Sequence, residues 1–271
     1  MTAAISRRTA LLLVVGLVPL LFGAGVLAAW LLIRGPGLPG SRSAVPQNEP
    51  GPILLVTGFG GDTARLGSLA QVLRRHGRDA EVVPVIDNGT GDLREQARQL
   101  DAAVKAELAA GAPSVDLVGY SAGGVVTRIW LEDFDGRKHT RRVVTLGSPH
   151  HGTRVARLAV AIASSYCPTA CQQLVPDSDV LRSIPDTPTG PAYTSLWTVD
   201  DEIVTPADSA RLDGAVNVEL QSICPDLHLQ HGPLPNDPLV IGIVERALAV
   251  PPLVAAPDGT QCLALRAAGR S

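Results

Sequence analysis

The stretch that decides the fold is Val115-Asp116-Leu117-Val118-Gly119-Tyr120-Ser121-Ala122-Gly123-Gly124, a short apolar segment that runs into Gly-x-Ser-x-Gly. The residues after it have apolar side chains at helical spacing. A strand followed by such a turn and a helix holds the serine hydroxyl above the carboxyl edge of a sheet, at a helix N-terminus. The pattern makes Ser121 a candidate catalytic nucleophile. The alternative is a glycine-rich turn that happens to contain a serine.

Apolar runs typical of buried strands alternate with helical patterns on both sides of this stretch, as in a parallel sheet with helices on both faces. Strands are predicted at 53–57, 80–86, 115–119, 143–146, 193–199 and 216–220, and helices at 63–76, 93–110 and 238–249. Residues 164–191 break the pattern and are rich in Pro, Ser, Thr and Asp. We expect them to form a loop insertion above the carboxyl edge, or a solvated loop without a role.

The chain begins with an apolar run at 10–33 that follows Arg7-Arg8. At about 1.5 Å per residue this run spans about 36 Å, enough to cross a hydrocarbon core of about 30 Å. We therefore expect residues 1–34 to be a membrane anchor, with a long cleaved signal as the alternative. Residues 35–50 are predicted to be a Gly/Pro/Ser-rich linker, and 51–271 the catalytic domain. Either reading of the run puts that domain outside the cytoplasm.

Composition and cysteine content agree with an exported globular domain. The net charge of −3 and an aromatic content of 3% give no case for nucleic-acid binding. An even number of cysteines in an exported chain predicts disulfides, here Cys167–Cys171 and Cys224–Cys262. Metal binding is the alternative, but no histidine lies at ligand spacing beside the first pair. We expect no metal and no cofactor.

A serine nucleophile needs a base and an acid that orients it, and in this type of fold they follow the serine as Asp/Glu and then His. His228 and His231 are the only histidines late enough in the chain. We favour His231, because its loop leads into the closing helix. The acid is expected after the strand at 193–199, among Asp200, Asp201 and Glu202.

Two backbone amides are needed to hold the oxyanion of an acyl-transfer reaction. One is predicted to come from Ala122, the residue after the nucleophile. The other is predicted to come from Phe59 in the Gly58-Phe59-Gly60-Gly61 loop after the first strand. A phosphate-binding role for this loop is disfavoured, because it lacks the Walker spacing and its lysine.

These residues resemble those of the small secreted lipases and esterases of the α/β-hydrolase superfamily, especially the bacterial triacylglycerol lipase (class 2) group. The ordered blocks that carry the likeness are 56–61, 119–124, 143–153, 193–204, 212–218 and 231–240. The resemblance implies an α/β-hydrolase fold, Asp201 as the acid and His231 as the base. It also implies that His150 is a wall or packing residue.

The sequence therefore predicts a serine carboxylester hydrolase that acts on lipid or small ester substrates through an acyl-enzyme. We expect a monomer that contacts the membrane through its N-terminal segment. A cell-envelope acyltransferase that uses the same acyl-enzyme is one alternative. A non-catalytic envelope protein on a hydrolase scaffold is the other.

Overall fold

A computed structural model describes residues 45–270 of the chain. They form a six-stranded sheet in the order β2-β1-β3-β4-β5-β6, in which every neighbouring pair is parallel. The strands are β1 (Ile53–Val56), β2 (Ala80–Val82), β3 (Val115–Tyr120), β4 (Thr140–Leu146), β5 (Ala192–Trp197) and β6 (Val216–Glu219).

Nine α-helices lie among the described residues 45–270, and short 3₁₀ turns join several of them. The helices are α1 (Thr63–Arg75), α2 (Leu93–Ala109), α3 (Ala122–Asp133), α4 (Arg154–Ala163), α5 (Thr169–Gln173), α6 (Asp179–Ser183), α7 (Leu220–Ile223), α8 (Pro238–Leu248) and α9 (Cys262–Ala268).

The core has two layers because alternate residues of each strand point to opposite faces of the sheet. On β1, Ile53 and Leu55 pack in one layer with apolar residues of α1 and α8. Leu54 and Val56 pack in the other layer with residues of α2 and α3. Both faces of the sheet are therefore covered, which explains why the strands are continuous apolar runs. The predicted parallel sheet with helices on both faces is confirmed.

Four segments differ from the prediction. Strand β2 stops at Val82 instead of 86, since Pro84 lies just beyond it and cannot donate to a ladder. The insertion predicted at 164–191 to be a loop contains α5 and α6. Helices α4 and α9 were not predicted at all, and both expose much of their apolar surface instead of burying one stripe.

Both predicted disulfides are present, Cys167–Cys171 and Cys224–Cys262. The first links the segment after α4 to α5. The second joins the end of α7 to the first residue of α9, and so fixes the C-terminal helix beside the sheet domain.

The predicted anchor at 1–34 and most of the predicted linker lie outside the described residues. Within residues 45–270, no helix is both long and apolar enough to span a bilayer. Gln47, placed in the linker by the sequence, accepts a hydrogen bond from Arg142 of β4.

Candidate active site

Ser121 lies on a sharp turn between the last residue of β3 and the first residue of α3. Its backbone has φ 53° and ψ −128°, which is rare for a residue with a side chain. The turn can be this tight only because Gly123 has no side chain. A Cβ there would lie 2.1 Å from the carbonyl oxygen of Val56. Likewise, a Cβ on Gly119 would lie 2.6 Å from Cα of Gly124. The Gly-x-Ser-x-Gly pattern thus forms the strained strand–turn–helix expected from the sequence.

The three adjacent acids after β5 have separate partners. Asp200 is partly exposed and lies 3.5 Å from Nδ1 of His228, a side chain that is 92% exposed. Asp201 is buried and lies 2.7 Å from Nδ1 of His231. Glu202 accepts a hydrogen bond from the backbone N–H of His231 at 3.0 Å. The structure therefore brings together Asp201 and His231, and leaves His228 in solvent.

The Asp201 carboxylate fixes which nitrogen of His231 carries the proton. Its Oδ1 accepts the backbone N–H groups of Ile203 and Val204 at 2.9 and 2.7 Å. Its Oδ2 faces Nδ1 of His231. Since a carboxylate only accepts, Nδ1 is the donor, and Nε2 of the neutral ring is left as an acceptor. An imidazole held in this tautomer can act as a general base.

Tyr120, the residue before Ser121, links the elbow to the His231 loop. Its ring stacks on the imidazole with centroids 5.2 Å apart. Its hydroxyl donates to the backbone oxygen of His231 at 3.2 Å. Burial raises the pKa of Tyr120 to about 12, so this donor keeps its proton at neutral pH. The contact holds the base next to the elbow.

No hydrogen bond joins the Ser121 hydroxyl to His231 among the contacts of residues 45–270. Ser121 and His231 are both buried, with 9% and 5% of their surface exposed. Such contacts are often long in enzymes without a bound substrate and shorten when it binds. The candidate nucleophile and the candidate base are thus linked through Tyr120, which precedes Ser121 and stacks on His231, without being hydrogen-bonded to each other.

The two candidate oxyanion donors lie at the same edge of the sheet. Ala122 is the first residue of α3, where a backbone N–H has no acceptor within the helix. Phe59 follows β1 in a turn closed by a 3.1 Å hydrogen bond from Gly61 to Gly58. A Cβ on Gly58 would lie 2.7 Å from Cβ of Ser121, so this loop passes directly beside the elbow.

His150 has a separate environment. It is 1% exposed, and its Nε2 lies 3.1 Å from the hydroxyl of Thr145, which in turn donates to Ser195. Burial, reinforced by nearby Arg128, holds the pKa of His150 well below its ordinary value. The ring is therefore neutral and packed, as the sequence resemblance implied.

An apolar cleft of about 270 Å³ opens above Ser121. The other residues around it are mostly apolar and come from the loop after β1, from α4 and its flanks, from α5 and its flanks, and from the segment after Asp201: Phe59, Pro149, Thr153, Val155, Ala156, Ala159, Tyr166, Pro168, Cys171, Leu174, Ile203 and Val204. A cleft with this apolar lining suits a hydrocarbon chain.

The α4 wall of this cleft and the supporting contacts of Tyr120 and Glu202 were not predicted from the sequence. Thr153 as an N-cap, followed by Val155, Ala159 and Ile162 at helical spacing, could have indicated α4. No local pattern could have indicated that Glu202 binds a backbone 29 residues away.

Two solved structures similar to this chain are lipase B from Aspergillus fumigatus and the mature form of the lipase BlEst2 from Bacillus licheniformis. The first is 19% identical, covers 84% of this chain and has a TM-score of 0.61, but only 64% of its own length is matched. The second is 21% identical, covers 65% of this chain and 86% of its own, and has a TM-score of 0.54. This chain thus spans less than two thirds of the fungal lipase. The likeness confirms the predicted α/β-hydrolase fold.

Residues 52–187 match the palmitoyl protein thioesterase family. The match spans half of the chain and includes Phe59, the elbow at Ser121 and the α4–α6 segment, and it ends before Asp201 and His231. It adds a thioesterase family to the lipase resemblance seen in the sequence. The chain belongs to the palmitoyl protein thioesterase family.

Proposed function

We propose that this protein hydrolyses fatty acyl esters or thioesters through a covalent acyl-enzyme on Ser121. The observation that carries the proposal is the strained Ser121 turn directly after Tyr120, whose ring stacks on a buried imidazole with Nδ1 2.7 Å from Asp201. This is the arrangement that serine hydrolases use on unrelated folds. The family match and the lipase-like fold support the same reaction class.

In the proposed reaction, Nε2 of His231 takes the proton of Ser121 while Oγ attacks the acyl carbonyl carbon. The oxyanion is held by the N–H groups of Phe59 and Ala122. His231 then gives its proton to the leaving alcohol or thiol as the carbon–oxygen or carbon–sulfur bond breaks. Water, deprotonated by His231, attacks acyl-Ser121 and releases the carboxylic acid and the free hydroxyl. Asp201 stabilises the imidazolium in both halves of the reaction.

The acyl group is proposed to be a long hydrocarbon chain, because the cleft above Ser121 is lined mainly by apolar side chains. A palmitoyl thioester follows from the name of the matching family, and a glycerol ester from the lipase resemblance. Both leaving groups would lie outside the apolar cleft. The acyl chain is thus the shared element of the substrate, and the leaving group is for experiment to decide.

The test compares Ser121→Ala with Ser165→Ala, a matched change at an exposed serine after α4. A fluorophosphonate probe should label the parent chain and Ser165→Ala, and should not label Ser121→Ala. Hydrolysis of palmitoyl p-nitrophenyl ester and of palmitoyl thioester should disappear only in Ser121→Ala. Full activity in that variant would remove Ser121 from the mechanism. Added alcohol acceptors in the same assay would measure acyl transfer against hydrolysis.

We also propose that the catalytic domain works outside the cytoplasm, tethered by the apolar run at 10–33. The two disulfides support an oxidising compartment. Protease added to intact cells should remove the catalytic domain, and the mass of the N-terminal peptide should show the run still attached. A domain protected in intact cells would contradict this location.

A further inference from the structure

Helix α4 exposes the apolar face that an amphipathic helix normally buries. Leu158 is 58% exposed, Ile162 75%, and Tyr166 just beyond the helix 87%. Of the ten residues of the helix, only Ala156 is buried. Within the helix, Val155, Leu158 and Ile162 follow at intervals of three and four residues, so they form one stripe on the surface, and Tyr166 lies just beyond its end.

The stripe is continuous with the mouth of the cleft above Ser121. Val155 belongs both to the stripe and to the wall of the cleft, and Tyr166, just beyond the helix, belongs to the same wall. Phe59 and Ile203, which are 46% and 42% exposed, add apolar surface elsewhere around the same opening. Apolar side chains therefore surround the opening of the cleft that contains Ser121.

The helix is held in place and is not a free segment. At its start, Thr153 accepts the N–H of Val155 and donates to the backbone oxygen of Ile203 at 2.6 Å. Beyond its end, the Cys167–Cys171 disulfide fixes the chain to α5. The exposed stripe is therefore a preformed surface.

The charges on α4 are all positive. Arg154 and Arg157 are exposed, and the helix has no acidic residue. Arg157 reaches Asp177 at 3.6 Å, between two side chains that are mostly in solvent. A helix with an apolar face and arginines on its polar side has the composition of helices that lie in a membrane interface.

We infer that α4 and the apolar mouth of the cleft form a docking surface for a phospholipid bilayer. The stripe would enter the boundary between headgroups and acyl chains, and the arginines would face anionic headgroups. A fatty acyl substrate could then pass from the bilayer into the cleft without crossing water. The docking itself does not depend on the proposed hydrolysis, although it explains how such a substrate would reach Ser121.

The binding test uses the full chain with one added tryptophan, at Ile162 or, as a matched control, at Leu263 of α9. Ile162 and Leu263 are exposed to the same extent, 75% and 79%. Each variant is reconstituted with vesicles of phosphatidylcholine and phosphatidylglycerol, with and without bromine on the acyl chains. The spectrum of the unsubstituted chain is subtracted to remove its own tryptophans.

In Ile162→Trp, the added emission should shift to the blue in vesicles and lose intensity with brominated lipid. In Leu263→Trp it should do neither. Unchanged emission at position 162 would overturn the inference. A blue shift that brominated lipid does not quench would also overturn it, and would indicate contact with a second copy of the chain.

The functional test pairs Leu158→Gln/Ile162→Gln with Val254→Thr/Leu263→Gln, an apolar pair elsewhere that is more exposed than the first. The first pair should lower hydrolysis of a vesicle-borne palmitoyl ester by about tenfold, since two aliphatic side chains leave the interface. Hydrolysis of water-soluble p-nitrophenyl butyrate should not change in either pair. An equal loss on both substrates would contradict docking. If the parent chain hydrolyses neither substrate, the proposed function is contradicted, whereas the quenching result still tests the docking.

Discussion

The amino and carboxyl edges of the sheet both bury charged side chains, and the two sets are bonded in different ways. At the amino edge, Asp116 accepts hydrogen bonds from Arg78 at 2.7 Å and from Arg141. Arg141 also donates to the backbone oxygens of Leu248 and Ala249. Each charged group there has several partners, so the cluster ties β3 and β4 to the end of α8.

At the carboxyl edge, both carboxylate oxygens of Asp201 are hydrogen-bonded, but the chain of contacts ends at the imidazole of His231. Nε2 of that ring has no protein partner among residues 45–270, and Ser121 lies nearby on a strained turn. Buried charges whose partners are all protein groups fix the fold. At the carboxyl edge, Nε2 of His231 and the hydroxyl of Ser121 are left for a substrate, and such groups can carry out a reaction. The following variants test this contrast.

The largest expected effect is on catalysis at the carboxyl edge. Asp201→Asn would present an N–H group to Nδ1 of His231 and favour the wrong tautomer, so kcat/KM should fall by about 10⁴-fold. The free energy of unfolding should change by only about 1 kcal/mol, because a side-chain oxygen is still available to accept from Ile203 and Val204. Steady-state kinetics measure the fall in kcat/KM, and urea unfolding measures the change in the free energy of unfolding. Near-normal activity would remove Asp201 from the proposed triad.

The next effect is on stability at the amino edge. Asp116→Asn leaves two guanidinium groups without a buried counter-charge, and should lower the free energy of unfolding by about 3 kcal/mol. The kcat/KM of the folded protein should not change. Glu95→Gln breaks an exposed ion pair with Arg98 and serves as the control, with an expected loss under about 1 kcal/mol. A large loss of activity in Asp116→Asn with normal stability would contradict the view that the amino edge serves only the fold.

A smaller effect concerns pH, because the carboxyl edge buries His150 in its neutral form. The folded-state pKa of His150 lies below the unfolded value of about 6.5, so the unfolded chain binds more protons in acid. Stability should therefore fall as the pH drops below about 6.5, by about 1.4 kcal/mol per pH unit. Urea midpoints at pH 7 and pH 5 measure this loss. It should shrink in His150→Gln and persist in His228→Gln, where the replaced ring is exposed.

The smallest effect isolates the strain at the elbow. Ser121→Ala and Ser121→Gly both remove the proposed nucleophile, but only glycine adopts φ 53° without cost. The glycine variant should be more stable than the alanine variant by about 1 kcal/mol, less what glycine costs through the unfolded chain. Thermal unfolding of the two variants provides the comparison. A glycine variant that is less stable than the alanine variant by the full unfolded-chain cost of glycine, about 0.4–1 kcal/mol, would show that the turn stores no strain.

The sequence predicted most of the sheet and the elbow because their signals are local. The apolar run of β1 and the glycines around Ser121 specify a buried strand and a close approach of two backbones. The boundaries of β2 and the helix α4 were missed for a physical reason. Strand β2 pairs with a single neighbour, and α4 leaves its apolar stripe in solvent, so neither follows the usual burial pattern.

The sequence by itself determined which residue types were available: a serine on a glycine-flanked turn, a run of three acids, two late histidines and two cysteine pairs. Only the tertiary structure decided which acid lies beside which histidine, because Asp200, Asp201 and Glu202 differ in the direction that each side chain takes from the turn after β5. The exposed stripe of α4 and its position at the cleft were also decided by packing. The reactivity of a side chain is a property of its residue type, whereas its burial and its distance from other groups depend on contacts between residues far apart in the chain.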